Sequence, residues 1–175
     1  MNQQPQKETK SRTEQKEREF LMAVESCQKP IYYFVRRMVS SHEDAHDICQ
    51  NTFTTAWEKW DQFKGQSKIS TWLHTIAYRE ALRSIEKQQK TSSLQDQHAN
   101  TSNDFPFDGD EILKELNIAM NALPEKQKAV FILRYFEEKT YQEIAAITGT
   151  TEGALKASYH HAAEKIKVVF QKRNT

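Results

Sequence analysis

Glycine and proline are scarce here, four of each in 175 residues. That composition suits helices and is poor for a strand-rich fold. Cysteine is scarcer still. Cys27 and Cys49 make no disulfide framework and no CxxC pair, so two reduced, partly buried thiols are expected. No apolar run approaches the ~18–20 residues that a membrane span needs, which excludes insertion as a helix. The first residues lack the apolar core of a signal peptide, so the expected location is the cytoplasm. Net charge is nearly absent, 25 Lys and Arg against 24 Asp and Glu. No global field draws the chain to nucleic acid, and any such attraction must come from local patches. There is no nucleophile with a base and an orienter, no phosphate loop and no HExxH. The chain is therefore expected not to be an enzyme and to hold no cofactor. His42, His46 and Cys49 fall at i, i+4 and i+7 on one side of a helix, but no fourth ligand is evident and no metal is expected. His160 and His161 are adjacent and diverge on a helix.

What is present is helical periodicity. The stretch from Asp44 to Lys87 organises the chain. Ala45, Ile48, Phe53, Ala56, Trp57 and Trp60 recur at helical spacing and mark one buried face. Ser41 is placed to cap this helix, with Asp44 at its third position. The pattern breaks at Asp61 to Lys68 and resumes at Ser70. Leu73, Ile76, Ala77, Ala81 and Ile85 form a second stripe, while Arg79, Arg83, Lys87 and Lys90 point elsewhere. Trp57, Trp60 and Trp72 all fit apolar stripes, so core packing is favoured over base stacking.

Upstream, residues 1–17 are rich in Gln, Lys, Glu, Thr and Ser. They bury too little to offset their ordering entropy, so a disordered tail is expected. Phe20, Leu21, Val24 and Cys27 give one stripe, and Ile31, Phe34, Val35 and Met38 another. Pro30 between them is expected to break the helix, because it lacks a backbone donor. Downstream, residues 91–110 are polar and mildly acidic, with Asp96, Asp104, Asp108 and Asp110 and no Lys or Arg. They read as a flexible linker. Such a linker reaches ~70 Å at most and averages ~25 Å as a coil.

From Glu111 the helical pattern returns. Ile112, Leu113, Leu116, Ala119, Met120 and Leu123 form a stripe that Pro124 punctuates. Val130, Leu133 and Phe136 mark a further helix. Thr140-Tyr-Gln-Glu143 is a capping box opening a helix with Ile144, Ala145 and Ile147 inside. Gly149 supplies a tight turn. Thr151 caps a last helix with Leu155, Tyr159, Ala162 and Ile166 inside. A short helix, a glycine turn and a second amphipathic helix read as helix-turn-helix. Its outward face holds Gly153, Lys156, Ala157 and His160, with Glu152 near the helix N-terminus. That end enters the major groove, where Lys156 reaches phosphate or guanine and Glu152 accepts from cytosine. On periodicity alone, a helical hairpin with a solvated polar face fits equally well.

Several segments together resemble the extracytoplasmic-function (ECF) sigma factors, the small members of the bacterial sigma superfamily. They are Asp44 through Phe53, Ala56-Trp57, Phe63-Lys64-Gly65 and Ser70 through Ala77. Further along they are Leu123-Pro124, Leu133-Arg134-Tyr135, Tyr141 through Ala145 and Gly149 through Lys156. The resemblance covers nearly everything after about Phe20. It implies an all-α protein of two small helical domains joined by a flexible linker, the second a helix-turn-helix. Residues 18–90 would bind core polymerase and read and melt the −10 element, and residues 111–175 would read the −35 element. The implied function is promoter-specific transcription initiation as a dissociable polymerase subunit.

The resemblance also assigns surfaces. Asp44, Asp47, Gln50 and Asn51 would dock on the clamp helices of the bacterial RNA polymerase core, whose flap is the other contact implied for the protein. Lys64, Gly65, Gln66, Ser67 and Lys68, with Arg79 and Arg83, would hold −10 DNA. A snug polar loop can recover the cost of extracting a base, and arginines one turn apart can track phosphate. Read from residues alone, the same loop is an ordinary surface loop and the same helix face a solvated acidic one. Thr151, Glu152, Gly153, Lys156, Ser158 and His160 would read −35 DNA. The family often has Ser-Arg after the lysine, where this chain has Ala157-Ser158. Many members have Asn and Asp at the places of Arg79 and Arg83. Promoter DNA and an inhibitory anti-sigma factor are the other implied partners. A stand-alone helix-turn-helix regulator, binding duplex DNA as a dimer, is the alternative.

Overall fold

The computed structural model describes residues 4–92 and 111–173, with side chains for 13–91 and 111–171. All regular structure among these residues is helical. The first lobe holds α1 (Gln4–Met38), α2 (His42–Glu58), a 3-10 turn (Trp60–Gln62) and α3 (Ile69–Ser92). The second holds α4 (Glu111–Asn121), α5 (Glu125–Phe131), a π-helical turn (Ile132–Phe136), α6 (Tyr141–Thr148) and α7 (Glu152–Arg173).

The apolar stripes become the core. Ile31, Phe34 and Val35 of α1 are fully buried with Ala45 of α2 and with Leu73, Ala77 and Ala81 of α3. Ile48 and Ile76 join them. In the second lobe Met120, Ile132, Leu133, Ile144, Ile147, Leu155 and Ala162 are buried. Each fully buried Leu or Ile contributes roughly 1.5–3 kcal/mol of apolar transfer energy, and these positions decide which faces turn inward. Helix starts follow local chemistry. Ser41 Oγ accepts from the Asp44 amide at 3.2 Å, satisfying one orphan donor of α2.

Two expectations differ from the structure. Pro30 does not break α1, which runs through it to Met38. The ring only removes one backbone donor, on an exposed position of a helix fixed by Cys27 and Ile31 on its buried face. The tail expected to be disordered is helical from Gln4. Gln, Lys and Glu are good helix formers, and Lys16 ties this segment to the rest. Its Nζ lies 2.7 Å from Asp61 Oδ2 and 5.0 Å over the Trp57 ring. Of the expected 91–110 linker, Thr91 and Ser92 belong to α3, where Thr91 Oγ1 donates to the Lys87 carbonyl at 3.0 Å. The remainder lies outside the described residues.

The two lobes pack together through α3 against α6, and through α1 against α5 and the π turn. Lys128 of α5 is buried and donates to the Met38 carbonyl at 3.0 Å and to Asn121 Oδ1 at 2.7 Å. Met38 ends α1, so the lysine covers one of the carbonyls a helix leaves unpaired at its C-terminus. His74 of α3 is fully buried, and its Nε2 lies 2.7 Å from Glu137 Oε2 of the second lobe. The two atoms approach closely without forming an aligned hydrogen bond. Arg37 lies 4.2 Å over the Phe136 ring.

Candidate nucleic-acid interface

The helix-turn-helix is built by capping. Thr140 Oγ1 accepts from the Glu143 amide at 3.2 Å, and Glu143 Oε2 accepts from the Thr140 amide at 3.0 Å. Glu143 Oε1 also accepts from Lys68 at 2.9 Å. The lysine and the amide together hold the Glu143 carboxyl down to about 2. α6 ends at Gly149, whose φ of 69° is left-handed and whose N–H returns to the Ala145 carbonyl at 2.9 Å. Thr151 Oγ1 then accepts from the Ala154 amide at 3.4 Å and opens α7.

On α7, Leu155, Ala162 and Ile166 are buried as their spacing predicts. Tyr159 stacks on Phe131 at 5.7 Å, and Phe131 stacks on Tyr135 at 5.1 Å. This pins the rotation of the helix. Thr151, Glu152, Gly153, Lys156 and His160 are left exposed on one end. Ser158 is half-buried beside Tyr159, so it is the least accessible of the residues named for this surface. Lys156 Nζ rests 5.7 Å over the Tyr141 ring, and Arg134 lies 5.2 Å over the same ring. Arg134 stands outside the predicted set. Its place beside Lys156 depends on the packing of Tyr141, which no local pattern carries.

The loop at 63–68 is exposed from Lys64 to Lys68. Gly65 has a φ of 68°, and a Cβ built there meets nothing within 4 Å. The glycine therefore serves the backbone turn, and its outer face is open to a ligand. Beneath the loop, Phe63 packs on Trp72 at 5.2 Å, Trp60 on Trp72 at 6.1 Å and Phe20 on Trp57 at 5.0 Å. The three tryptophans are half-buried and packed ring to ring. Lys64 Nζ reaches the Asp61 carbonyl at 3.5 Å, while Lys68 is held by Glu143.

The third surface is a groove between α2 and α3. Asp44, Asp47, Ile48 and Asn51 line one wall, and Arg83 and Lys87 belong to the other. Gln50 is exposed on α2 outside that lining. Arg83 Nη1 donates to Glu80 at 3.0 Å. Arg83 thus shares a groove with the residues expected to dock on polymerase, although the resemblance groups it with the −10 contacts. Arg79 is exposed one turn earlier. On the opposite side of α2, His42 and His46 approach at 3.1 Å, and Tyr32 Oη meets His42 Nδ1 at 2.7 Å. Among the described residues, no group of three or more His, Cys, Asp or Glu is arranged to hold a metal. No helix of the described residues is long and apolar enough to cross a membrane.

Chemically, the molecule offers two exposed, lysine-bearing polar surfaces and a groove of mixed charge between α2 and α3. Known proteins resemble this chain over most of its length. The family model for Sigma-70 region 2 matches residues 23–91, and that for Sigma-70, region 4 matches residues 113–166. The RNA polymerase sigma factor YlaC of Bacillus subtilis is 31% identical over 148 residues, covering 80% of this chain and 84% of that protein. The ECF RNA polymerase sigma factor SigW of the same organism is 26% identical over 162 residues, covering 85% and 87%. Among solved structures, the sigma factor RpoE of Bartonella quintana, in complex with the anti-sigma factor NepR, superposes with a TM-score of 0.69 at 23% identity. That match covers 89% of this chain and 96% of the other.

Proposed function

The chain belongs to the ECF class of sigma-70 family RNA polymerase sigma factors, and on that premise we propose how its surfaces divide the work. Residues 18–90 form the polymerase-binding and −10 module, and residues 111–175 the −35 module. Asp44, Asp47, Gln50 and Asn51 dock on the core enzyme. Lys64 to Lys68 receive the melted −10 strand, with Arg79 and Arg83 along its phosphates. The exposed end of α7, from Thr151 to His160, reads the −35 element. The protein carries no catalysis of its own and acts in the cytoplasm. An anti-sigma factor is its inhibitory partner, as the fold likeness to a sigma factor crystallised with one suggests.

The observation that carries this reading is the pair of exposed, lysine-bearing polar surfaces on one chain, the capped α7 N-terminus and the glycine loop at 63–68. A magnitude explains why polymerase is needed. Opening four or five base pairs forfeits roughly 6–7 kcal/mol at ~1.4 kcal/mol per step. A few Lys and Arg give non-specific affinities of only ~10⁻⁴–10⁻⁶ M. The bound core enzyme supplies the remaining contacts. A stand-alone regulator is not favoured, because the match extends over both halves of the chain.

The deciding experiment is run-off transcription with purified bacterial core polymerase on a promoter library, with start sites mapped with and without this protein. New starts sharing two elements at fixed spacing are expected. Tight binding to a palindromic duplex with no new starts would overturn the assignment of surfaces.

A further inference from the structure

His42 and His46 stand apart from every surface assigned above. They lie one turn apart on α2, on the side away from the groove of Asp44, Asp47 and Asn51. Both are exposed, and His46 lines a cleft against α1 with Gln28, Tyr32 and Phe53. Spacing puts the two histidines on one side of α2 but does not say how near their nitrogens come. Nε2 of one lies 3.1 Å from Nε2 of the other. The ring centres are 4.5 Å apart, farther than the nitrogens, so the rings converge at their Nε2 ends. An ion held ~2.0–2.1 Å from both nitrogens would subtend ~100° between them. That angle falls between the ~90° of a square-planar site and the ~109° of a tetrahedral one. The metal-free rings are thus already spaced as a chelate.

A neighbour on α1 holds this arrangement. Tyr32 Oη lies 2.7 Å from His42 Nδ1. Its ring centre is 5.9 Å from that of His42 and 5.4 Å from that of His46. With the Nδ1 proton donated to the phenol oxygen, the lone pair of His42 is left on Nε2, the atom that faces His46. A partner on the far ring nitrogen is what orients a metal-binding histidine and raises its basicity.

We propose that His42 and His46 form an exchangeable site for a late first-row divalent cation, copper, nickel or zinc, with Tyr32 as its positioning residue. Imidazole suits these metals, and copper should bind most tightly. Among the described residues no third His, Cys, Asp or Glu completes a metal-holding group with the pair. Solvent therefore fills the other coordination positions, and the ion stays accessible from outside. The proposal stands independently of the sigma-factor reading.

The test uses the full chain without an affinity tag. Nickel chloride is titrated in by calorimetry, and copper(II) is added for electron paramagnetic resonance. One ion per chain is expected, with a copper signal split by two imidazole nitrogens. Nickel should raise the thermal midpoint, because the ion binds the folded pair. His42→Ala and His46→Ala should each weaken binding at least ~10-fold and lose that rise. Tyr32→Phe keeps the ring and removes the oxygen, so it should weaken binding ~10-fold or more while the metal-free midpoint stays near that of the parent. No saturable binding by the parent chain would overturn the site. Equal affinity in the parent and both histidine variants would also overturn it, as an adventitious ion only. Unchanged affinity in Tyr32→Phe would remove Tyr32 from the site. Should a variant lose helicity by circular dichroism, the parent's copper signal still decides, since splitting by fewer than two nitrogens would overturn the chelate.

Discussion

Lys156 is the single side chain on which upstream recognition should depend most. It is exposed on the first turns of α7 and leans on the Tyr141 ring rather than on a carboxylate, so it can turn to DNA at little cost. Lys156→Ala should weaken use of the upstream element by about 1–3 kcal/mol if it meets a base. If it meets phosphate alone, the loss should be uniform across sequences, with the salt slope lower by about 1. Start-site yields across the promoter library at several salt concentrations distinguish these outcomes. Lys128 is a second residue with a readable consequence. Burial pulls its amine from the ordinary 10.5 down to about 8. Between those values the unfolded chain binds more protons than the folded one, so this group makes stability rise as pH climbs from 8 towards 10.5. The gain is complete above 10.5 and lost as pH falls to 8. The neutral amine keeps two N–H donors, enough for both of its bonds. Lys128→Met should abolish this rise, whose size is on the order of 3 kcal/mol. Urea midpoints of both proteins across that pH range provide the check.

At the scale of elements, the caps of α6 predict their own cost. Gly149 has a left-handed φ, and open space lies where an added methyl would stand, so Gly149→Ala suffers backbone strain alone, about 1 kcal/mol. Thermal unfolding should show it, and Gly149→Asn should cost less. Pro30 argues in the other direction. It sits exposed inside a continuous α1 and offers no N–H to the Ser26 carbonyl. Pro30→Ala should raise stability by about 1–3 kcal/mol. A lower thermal midpoint in that variant would show that the ring supports α1 in some other way. Element boundaries of this kind were legible wherever the signal is local. Thr140 and Glu143 announce a capping box three residues apart, Ser41 announces the start of α2, and Leu155, Tyr159, Ala162 and Ile166 announce the inner face of α7. Pro30 and the 1–17 tail misled because a proline rule and a composition rule are averages. The buried face of α1 and the Lys16 contacts override both.

For the whole molecule, the near-zero net charge and the few lysines on each exposed surface predict a dependent protein. Alone it should bind duplex weakly and leave it closed. Permanganate footprinting should reveal unpaired thymines only when core polymerase is present as well. Reactivity with the protein alone would contradict the energy argument.

The sequence by itself determined the fold class, the helix-turn-helix and which helix faces turn inward. Each of these rests on contacts within a turn or two of helix, where spacing alone sets the partner. The tertiary structure decided what the polar side chains touch while no partner is bound. Lys68 meets Glu143 across 75 positions and Lys128 meets Met38 across 90, and Arg83 shares a groove with Asp47. The two lysine contacts form where the lobes pack against each other, and the groove forms where α3 packs on α2. No local spacing encodes either packing.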